Sequence, residues 1–547
     1  MTATPAPVTS AAAESAAAPA TATAAPSAAP ADTPFRDLAS LIAQHAHERP
    51  VAPALVVGQR RLNYAELDAL VNRIAAALQG DGLGAGERIA ICAGSSVEYV
   101  ALFLATLRAG GAVAPLAPSS TAEQLISMAV DADARRFFLD GDVAAALATA
   151  GVSVPAGLAL TRLDAHDDQA VLAPWLPAGE ARPTPVPIDP AAPFNLIYSS
   201  GTTGTPKGIV QSHAMRWGHI QRAAMSGYAA DSITLIATPL YSNTTLVAVI
   251  PTLAYGGCVI LMPKFDALGY LQIAERERAN TTMLVPVQYQ RLMARPEFDS
   301  FELSAFRMKF STSAPFGATL KADVLKRWPG GLTEYYGMTE GGGTCVLQAH
   351  LHPGKLHTVG RPVEGHDIRL IDEQGQQVAP GEAGEVVGRS GAMMSGYHKQ
   401  PAKTAEAEWF DAQGQRFIRT GDVGRFDEDG FLLLFDRRKD MVISGGFNIY
   451  PSDLEAILRQ HPAVADCAVV GVPSVEWGET PVAFVVLRQA TGAATDGAEE
   501  LRHWLNRQVG KTQRLSGLRL VDELPRSAIG KVLKRELREA WALPLAR

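Results

Sequence analysis

The chain is poor in cysteine. Its 547 residues hold four, Cys92, Cys258, Cys345 and Cys467, scattered with no paired spacing. That excludes a disulfide framework and suits a reducing compartment, so a cytoplasmic protein is expected. No apolar run reaches the ~18–20 uninterrupted residues of a membrane span. Positive charge is in deficit too: 49 Lys and Arg against 56 Asp and Glu leave a net −7, which argues against general binding to nucleic acid or an anionic membrane. Neither H-E-x-x-H nor G-x-S-x-G occurs. His350, His352 and His357 lie in a Pro/Gly loop without helical i, i+4 spacing or nearby paired cysteine, so they do not indicate a metal site. Residues 1–34 contain no Lys or Arg and are almost entirely Ala, Pro, Thr and Ser, unlike a signal or transit peptide. They are expected to form a disordered tail without a catalytic role.

What is present is largely apolar. Hydrophobic residues make up 47% and charged residues 19%, as in a soluble globular enzyme, and the length allows roughly two to four domains. Asn63 is placed to cap an amphipathic helix running to Leu78, with Glu66 three residues on and Leu67, Leu70, Val71, Ile74 and Leu78 on one face. A strand at Arg88–Cys92, a helix at Val97–Arg108 and a strand at Ala112–Leu116 follow, a β-α-β run that implies a parallel sheet flanked by helices. The pattern recurs in strands at Ser232–Ala237 and Cys258–Met262 and helices at Thr245–Ala254 and Ala267–Arg278. Two α/β layers are therefore expected between 35 and about 360, with 150–190 an irregular connection. Residues 362–435 carry short strands between Gly, Asp and Gln turns, the pattern of a β-rich subdomain. The last stretch is a small α+β unit in which Ser452 caps a helix and Glu455 stands three residues later.

The densest chemistry lies at 198–208, YSSGTTGTPKG. It packs two Ser, three Thr, three Gly and one Lys into that stretch, after a mostly apolar run. Small residues let backbone N–H groups approach an anion, hydroxyls add donors and Lys207 adds a charge, so the loop suits phosphates. It is not the G-x-x-x-x-G-K-[ST] loop, because Pro206 precedes the lysine and Gly208 follows it.

This string resembles the signature of the adenylate-forming superfamily, which includes acyl- and aryl-CoA synthetases, peptide-synthetase adenylation domains and luciferases. Further stretches follow in the family's order: STSAPF (311–316), YYGMTE (335–340), RTGD (419–422), DRRKDMVISGGFNIYPSDLE (436–455) and LPRSAIGK (524–531). The resemblance implies that a carboxylate and ATP give an acyl-adenylate and pyrophosphate, and that a thiol then gives a thioester and AMP. It places Ser199, Ser200, Gly201, Thr202, Thr203, Gly204, Thr205 and Lys207 at the ATP phosphates, with Thr202 and Lys207 catalytic. Ser313, Ala314, Pro315, Tyr336, Gly337 and Thr339 complete the nucleotide site. Tyr336 would stack on adenine, Gly337 leave space for the acyl carbonyl and Thr339 reach the α-phosphate. Glu340 would ligate Mg²⁺, for which one carboxylate suffices when substrate and water complete the shell. Asp422 would accept both ribose hydroxyls, helped by Arg437. Lys531 would bridge the reacting carboxylate and α-phosphate.

By the same resemblance the fold is α/β: a large N-terminal domain, 35–435, and a small mobile α+β C-terminal domain, 441–547, joined at a hinge, 436–440, with Lys439 as pivot. Rotation would exchange the Lys531 loop for the 443–450 loop, where Ser444, Gly445 and Gly446 would let the pantetheine arm of coenzyme A pass. Tyr241, Asn243, Ser313, Gly337, Met338 and Gly342 are expected around the acyl group. The glycine triplet Gly341–Gly343 has little bulk and so is expected to leave a wide pocket. Ser242 stands in PLYS where many CoA ligases carry a histidine. The expected protein is an ATP-, Mg²⁺- and coenzyme A-using ligase for an aryl or medium-to-long-chain acid. The alternatives are an enzyme that loads a carrier protein and a nucleotide-binding regulator without catalysis.

Overall fold

The computed structural model describes Met1 and residues 34–164, 172, 175–177, 179–199, 207–437, 440–444, 447–475, 477–488, 497–527 and 530–543, with backbone alone at Ser199, Asp436, Arg437, Phe447, Asn448 and Thr512. The expected disordered tail therefore lies almost wholly outside the described residues.

Local sequence signals set the first elements. Asn63 Oδ1 accepts the N–H of Glu66 (2.8 Å) while Glu66 Oε2 accepts that of Asn63 (2.9 Å), and this reciprocal cap starts the helix Tyr64–Gly80. Val97–Arg108 forms as expected, and nearly all of it is buried. Apolar residues cover most of its circumference because it sits between two sheets. Asn243–Ala254 packs in the same layer. Ile89 and Ile91 of one sheet and Leu55 and Val259 of the other join both helices in a single core.

Among the described residues, nine strands form the first sheet. Its middle, from Gly331–Tyr336 through Met308–Ser311, Thr281–Leu284, Ile233–Ile236 and Cys258–Leu261 to Pro53–Val57, is parallel. Antiparallel strands close both edges. The second sheet has seven strands, with Arg88–Cys92, Ala112–Pro115 and Ala134–Leu139 parallel at its centre. At one side Pro193–Ser199 and Lys207–Ser212 pair antiparallel. Ala159–Arg162 adds a strand inside the stretch read as irregular. Five antiparallel strands, Asp367–Ile371 to Leu432–Arg437, make the β-rich subdomain.

Residues from Val442 onward form a separate five-stranded sheet with its own apolar clusters. Its two long strands are Val464–Ser474 and Gly478–Leu487. Cys467 and Val469 face one cluster and Ala468, Val470 and Val472 the other. Burial on both faces removes the polar–apolar alternation that marks strand ends. The small-domain helix begins at Pro451, not after Ser452: proline is preorganised for the first helical position, and Tyr450 takes the cap. Glu455 accordingly makes no capping box. It accepts the N–H of Val469 (2.9 Å) and pairs with Lys534 (3.1 Å).

One buried cation ties strand to helix beneath the site. Lys309 is 0% exposed, and its ammonium donates to the carbonyls of Trp328 (3.0 Å), Pro329 (2.6 Å) and Gly330 (2.7 Å), past the C-terminus of helix Ala318–Arg327. Burial pushes its pKa down to about 7; three carbonyls, one for each N–H, oppose that shift. Lys309→Met leaves those carbonyls unpaired at a cost of about 3 kcal/mol, and is expected to lower the melting temperature by about 3–4 °C in calorimetry. An unchanged melting temperature would show that water replaces the ammonium.

Candidate active site

The strands of the first sheet deliver their loops to one edge. In an open parallel sheet the crevice outside the carboxyl ends of the strands is where ligands bind. Three neighbouring strands end there: Thr281–Leu284 leads to Val285 and Val287, Met308–Ser311 to Ser313–Pro315, and Gly331–Tyr336 to Gly337–Glu340. Ser313 holds φ +82, uncommon for a residue with a side chain, and its hydroxyl lies 2.5 Å from that of Thr244. Ala314 is half-buried and Pro315 exposed.

Tyr336 donates its hydroxyl to Asp422 Oδ2 at 2.8 Å, which joins the first sheet to the β-rich subdomain. Burial, with the carboxylate's charge, raises the Tyr336 pKa well above its ordinary value, so the phenol stays protonated as donor. Asp422 is not in a turn but inside strand Arg416–Phe426, directly after Gly421 at φ +72 and beside a break in register. Such a bulge re-aims a side chain. Arg437 is its cross-strand partner on the backbone; the Arg437 side chain lies outside the described residues.

Lys207 and Glu340 share a neighbour that sequence reading missed. Tyr397 donates to Glu340 Oε1 (2.9 Å), and the Lys207 ammonium stands 4.8 Å from the centre of its ring. Tyr397 reaches this place because Gly396–Tyr397 pairs with Val210 and Ile209 beside Lys207. Among the described residues no partner is seen on the second oxygen of Glu340, which fits a metal completed by phosphate and water.

Beneath them is a buried guanidinium. Arg216 is 1% exposed; its Nε and Nη2 each donate to Asn195 Oδ1 at 3.1 Å, and Nη2 also reaches Gln211 Oε1. Gln211 in turn donates to the Thr339 carbonyl at 2.7 Å. Burial pulls the Arg216 pKa down to about 9, which still leaves a cation at neutral pH. An arginine on an amphipathic helix reads as a surface residue, and only the paired strands show that Asn195 and Gln211 face it.

Around the expected acyl group the residues divide. Ser242 accepts the N–H of Thr244 (3.3 Å) as cap of helix Asn243–Ala254, the role left to it without histidine. Asn243 Oδ1 is buried and unpaired among the described residues. Tyr241 is half-buried, and burial pushes its pKa up to about 12. Gly337 is exposed, whereas Met338 packs toward Ile209, Met394 and Tyr397. The glycine triplet does not widen a pocket. A Cβ on Gly341 would stand 2.1 Å from the Ala392 carbonyl oxygen, one on Gly342 2.8 Å from that of Gly388, and one on Gly343 2.4 Å from Ile368. The missing side chains let the β-rich subdomain approach.

Lys531 lies in a tight turn: Ser527 donates to its carbonyl (2.8 Å), and Gly530 donates to that of Ser527 (2.8 Å). Gly530 takes φ +75, and a Cβ there would come 2.7 Å from Val287 and 3.5 Å from Val285. The small domain thus seats this turn on the large domain, two strands along from Tyr336, or about 10 Å at ordinary strand spacing. Ser444 is buried in strand Val442–Ser444. Ser200–Thr205, Lys439, Gly445, Gly446 and the Ser199 side chain lie outside the described residues.

Known proteins resemble this chain over most of its length. A family model for AMP-binding enzymes matches residues 42–398, and one for the AMP-binding enzyme C-terminal domain matches 453–531. A feruloyl-CoA synthase of an Amycolatopsis species is 35% identical over 516 residues, covering 92% of this chain and 99% of its own. An indoleacetate–CoA ligase of Aromatoleum aromaticum is 32% identical over 521 residues, covering 92% and 98%. Among solved structures, ATP-bound MatB from Rhodopseudomonas palustris aligns with a TM-score of 0.80 at 30% identity, covering 92% of this chain and 99% of MatB. The chain belongs to the AMP-binding enzyme family, in the CoA-ligase branch of the adenylate-forming superfamily, and is an AMP-forming acid–CoA ligase.

Proposed function

We propose that the enzyme activates an aryl carboxylic acid with ATP and Mg²⁺ and transfers the acyl group to coenzyme A, with Lys531 acting in the first half-reaction. The seating of the Lys531 turn against Val287, at the strand ends that carry Ser313 and Tyr336, supports this most directly. The aryl acids in the names of the feruloyl- and indoleacetate-ligating relatives support the substrate class.

In this reading a carboxylate oxygen attacks the α-phosphorus, and the bond to pyrophosphate breaks. Lys531 neutralises the carboxylate and the phosphoryl oxygens as they meet. Thr202, Thr203 and Lys207 hold the leaving phosphates, where donors aimed at developing charge lower the barrier. Tyr336, its hydroxyl fixed on Asp422, offers its ring to adenine, while Asp422 and Arg437 hold the ribose. Magnesium bound at Glu340 supplies further neutralisation of phosphate charge. In the second half-reaction the Lys531 turn leaves Val287, the hinge at Lys439 turns, and the thiol enters past Ser444, Gly445 and Gly446. It attacks the acyl carbon, and AMP departs with the bonding pair.

Pyrophosphate exchange followed by coenzyme A-dependent thioester formation, scored over a panel of aryl and alkyl acids, tests the reading. Exchange without any turnover of coenzyme A would indicate carrier loading instead. Lys531→Ala is expected to lower acyl-adenylate formation by about 10²–10³-fold, the worth of a charge-stabilising donor, while thioester formation from supplied acyl-adenylate persists. Equal loss in both half-reactions would remove the division of labour. Tyr397→Phe deletes the donor to Glu340 and is expected to cost roughly tenfold in adenylation at limiting Mg²⁺, recovered in part at high Mg²⁺. A loss independent of Mg²⁺ would place Tyr397 with the Lys207 ring contact alone.

A further inference from the structure

The turn that carries Lys531 is closed by a short antiparallel pairing. Arg526 and Val532 form a bridge, the Ser527 N–H donates to the Lys531 carbonyl (2.8 Å), and the Leu533 N–H donates to that of Pro525 (2.9 Å). On either side of this pairing, Leu524 and Leu537 are buried with Ala468, Val470 and Val472 on one face of the small-domain sheet, and Val532 packs against them. Apolar contact therefore fixes the base of the turn. It does not fix Gly530, which takes φ +75 and has no side chain to hold.

Hydrogen bonds pin both sides of the one peptide that enters Lys531. Arg526 Nη1 donates to the Gly530 carbonyl at 2.6 Å, and the Lys531 N–H donates to Ser527 Oγ at 3.2 Å. The carbonyl and the N–H of a peptide bond are coplanar, so holding both fixes the plane. With the Lys531 carbonyl also held by Ser527, the Cα–Cβ bond of Lys531 has little freedom of direction.

Arg526 serves as a fixed point because its other nitrogen is anchored. Nη2 pairs with Asp466 Oδ2 at 2.5 Å, and Asp466 Oδ1 accepts the N–H of Cys467 at 2.9 Å. Asp466 stands in strand Val464–Ser474, where the register with Gly478–Leu487 shifts between Val464 and Asp466. A bulge of this kind re-aims a side chain. The two side chains keep 25% and 24% of their surface exposed. A partly exposed ion pair contributes only about 0–1 kcal/mol, so stability is a weak reason for this arrangement. A planar guanidinium that spans a carboxylate and a carbonyl fixes direction instead.

We propose that Arg526, anchored on Asp466, is a positioning residue for adenylation, setting the Gly530–Lys531 peptide so that the Lys531 ammonium meets the reacting carboxylate and the α-phosphate. This rests on the ligase reading above, in which Lys531 acts in the first half-reaction. Arg526 touches no substrate and acts through Lys531 while the turn sits on Val287. When the turn leaves, the same bonds travel with the small domain and have no part in thioester formation.

The test measures two rates with the full chain: pyrophosphate exchange over the panel of acids, and thioester formation from supplied acyl-adenylate and coenzyme A. Arg526→Met is expected to lower kcat for exchange by about 10–100-fold, the cost of a misplacement of up to about 1 Å, with KM for ATP and acid within about threefold of wild type. Thioester formation from acyl-adenylate is expected to stay within about threefold. Asp466→Ala frees the guanidinium and is expected to show the same selective loss, and the double variant is expected to lose no more than Arg526→Met alone. Wild-type exchange in Arg526→Met, equal loss in both half-reactions, a loss confined to KM, or losses that multiply in the double variant overturns the proposal. Should Arg526→Met fail to fold, Asp466→Ala and Ser527→Ala, which removes the acceptor for the Lys531 N–H, are scored by the same criteria. Lys531→Ala separates the two readings. If it impairs exchange and Arg526→Met does not, the positioning role alone falls; if it leaves exchange intact, or if no acid supports exchange, the ligase reading falls and the inference with it.

Discussion

A guanidinium held by amides instead of a carboxylate sets the frame of the active centre. Arg216 joins strand Pro193–Ser199 through Asn195, strand Lys207–Ser212 through Gln211, and the Gly337–Glu340 loop through the bond from Gln211 to Thr339. The first two flank the phosphate loop, and the third carries the expected metal ligand. With neutral partners, the desolvation of the charge is met by hydrogen-bond geometry and by the Phe194 ring 5.7 Å from the guanidinium, which favours a single arrangement of all three segments. Tyr397 pairs with the same Lys207–Ser212 strand and brings Lys207 to the ring and Glu340 to the hydroxyl of one phenol.

Much of the fold was legible because local signals agreed with the global one. Asn63 with Glu66, the predominantly apolar Val97–Arg108 and the recurring β-α-β pattern each state their structure within a few residues. Ser452 misled because its capping spacing competes with a proline placed one residue earlier, and the proline prevailed. The long small-domain strands lost their edges because both faces are buried. At the site, YYGMTE and RTGD could be named from resemblance, yet nothing in either announces that Tyr336 and Asp422 bond to each other across 86 positions. Glycine is ambiguous in principle: a missing side chain signals either room for a ligand or close approach of another backbone, and Gly341–Gly343 proved to be the second.

The acyl end was the least legible part, for a related reason. Ser242, Ser313 and Gly337 come from three separate stretches, and each reads alone as an ordinary helix or loop residue. Their meaning comes from the sheet edge that gathers them. The glycine triplet contributes here as well, because it brings the β-rich subdomain close to the loop that follows Glu340.

The seat of Gly530 on Val287 has a mechanical consequence. At Gly530 itself the two domains meet through methyl groups and a bare backbone. Dispersion contacts of this kind contribute about 0.1–0.2 kcal/mol for each atom pair, below thermal energy. A contact of this kind separates without waiting for charges to rehydrate, and salt does not weaken it. It also has no tolerance for bulk, since even one added carbon at Gly530 would hold the lobes ajar.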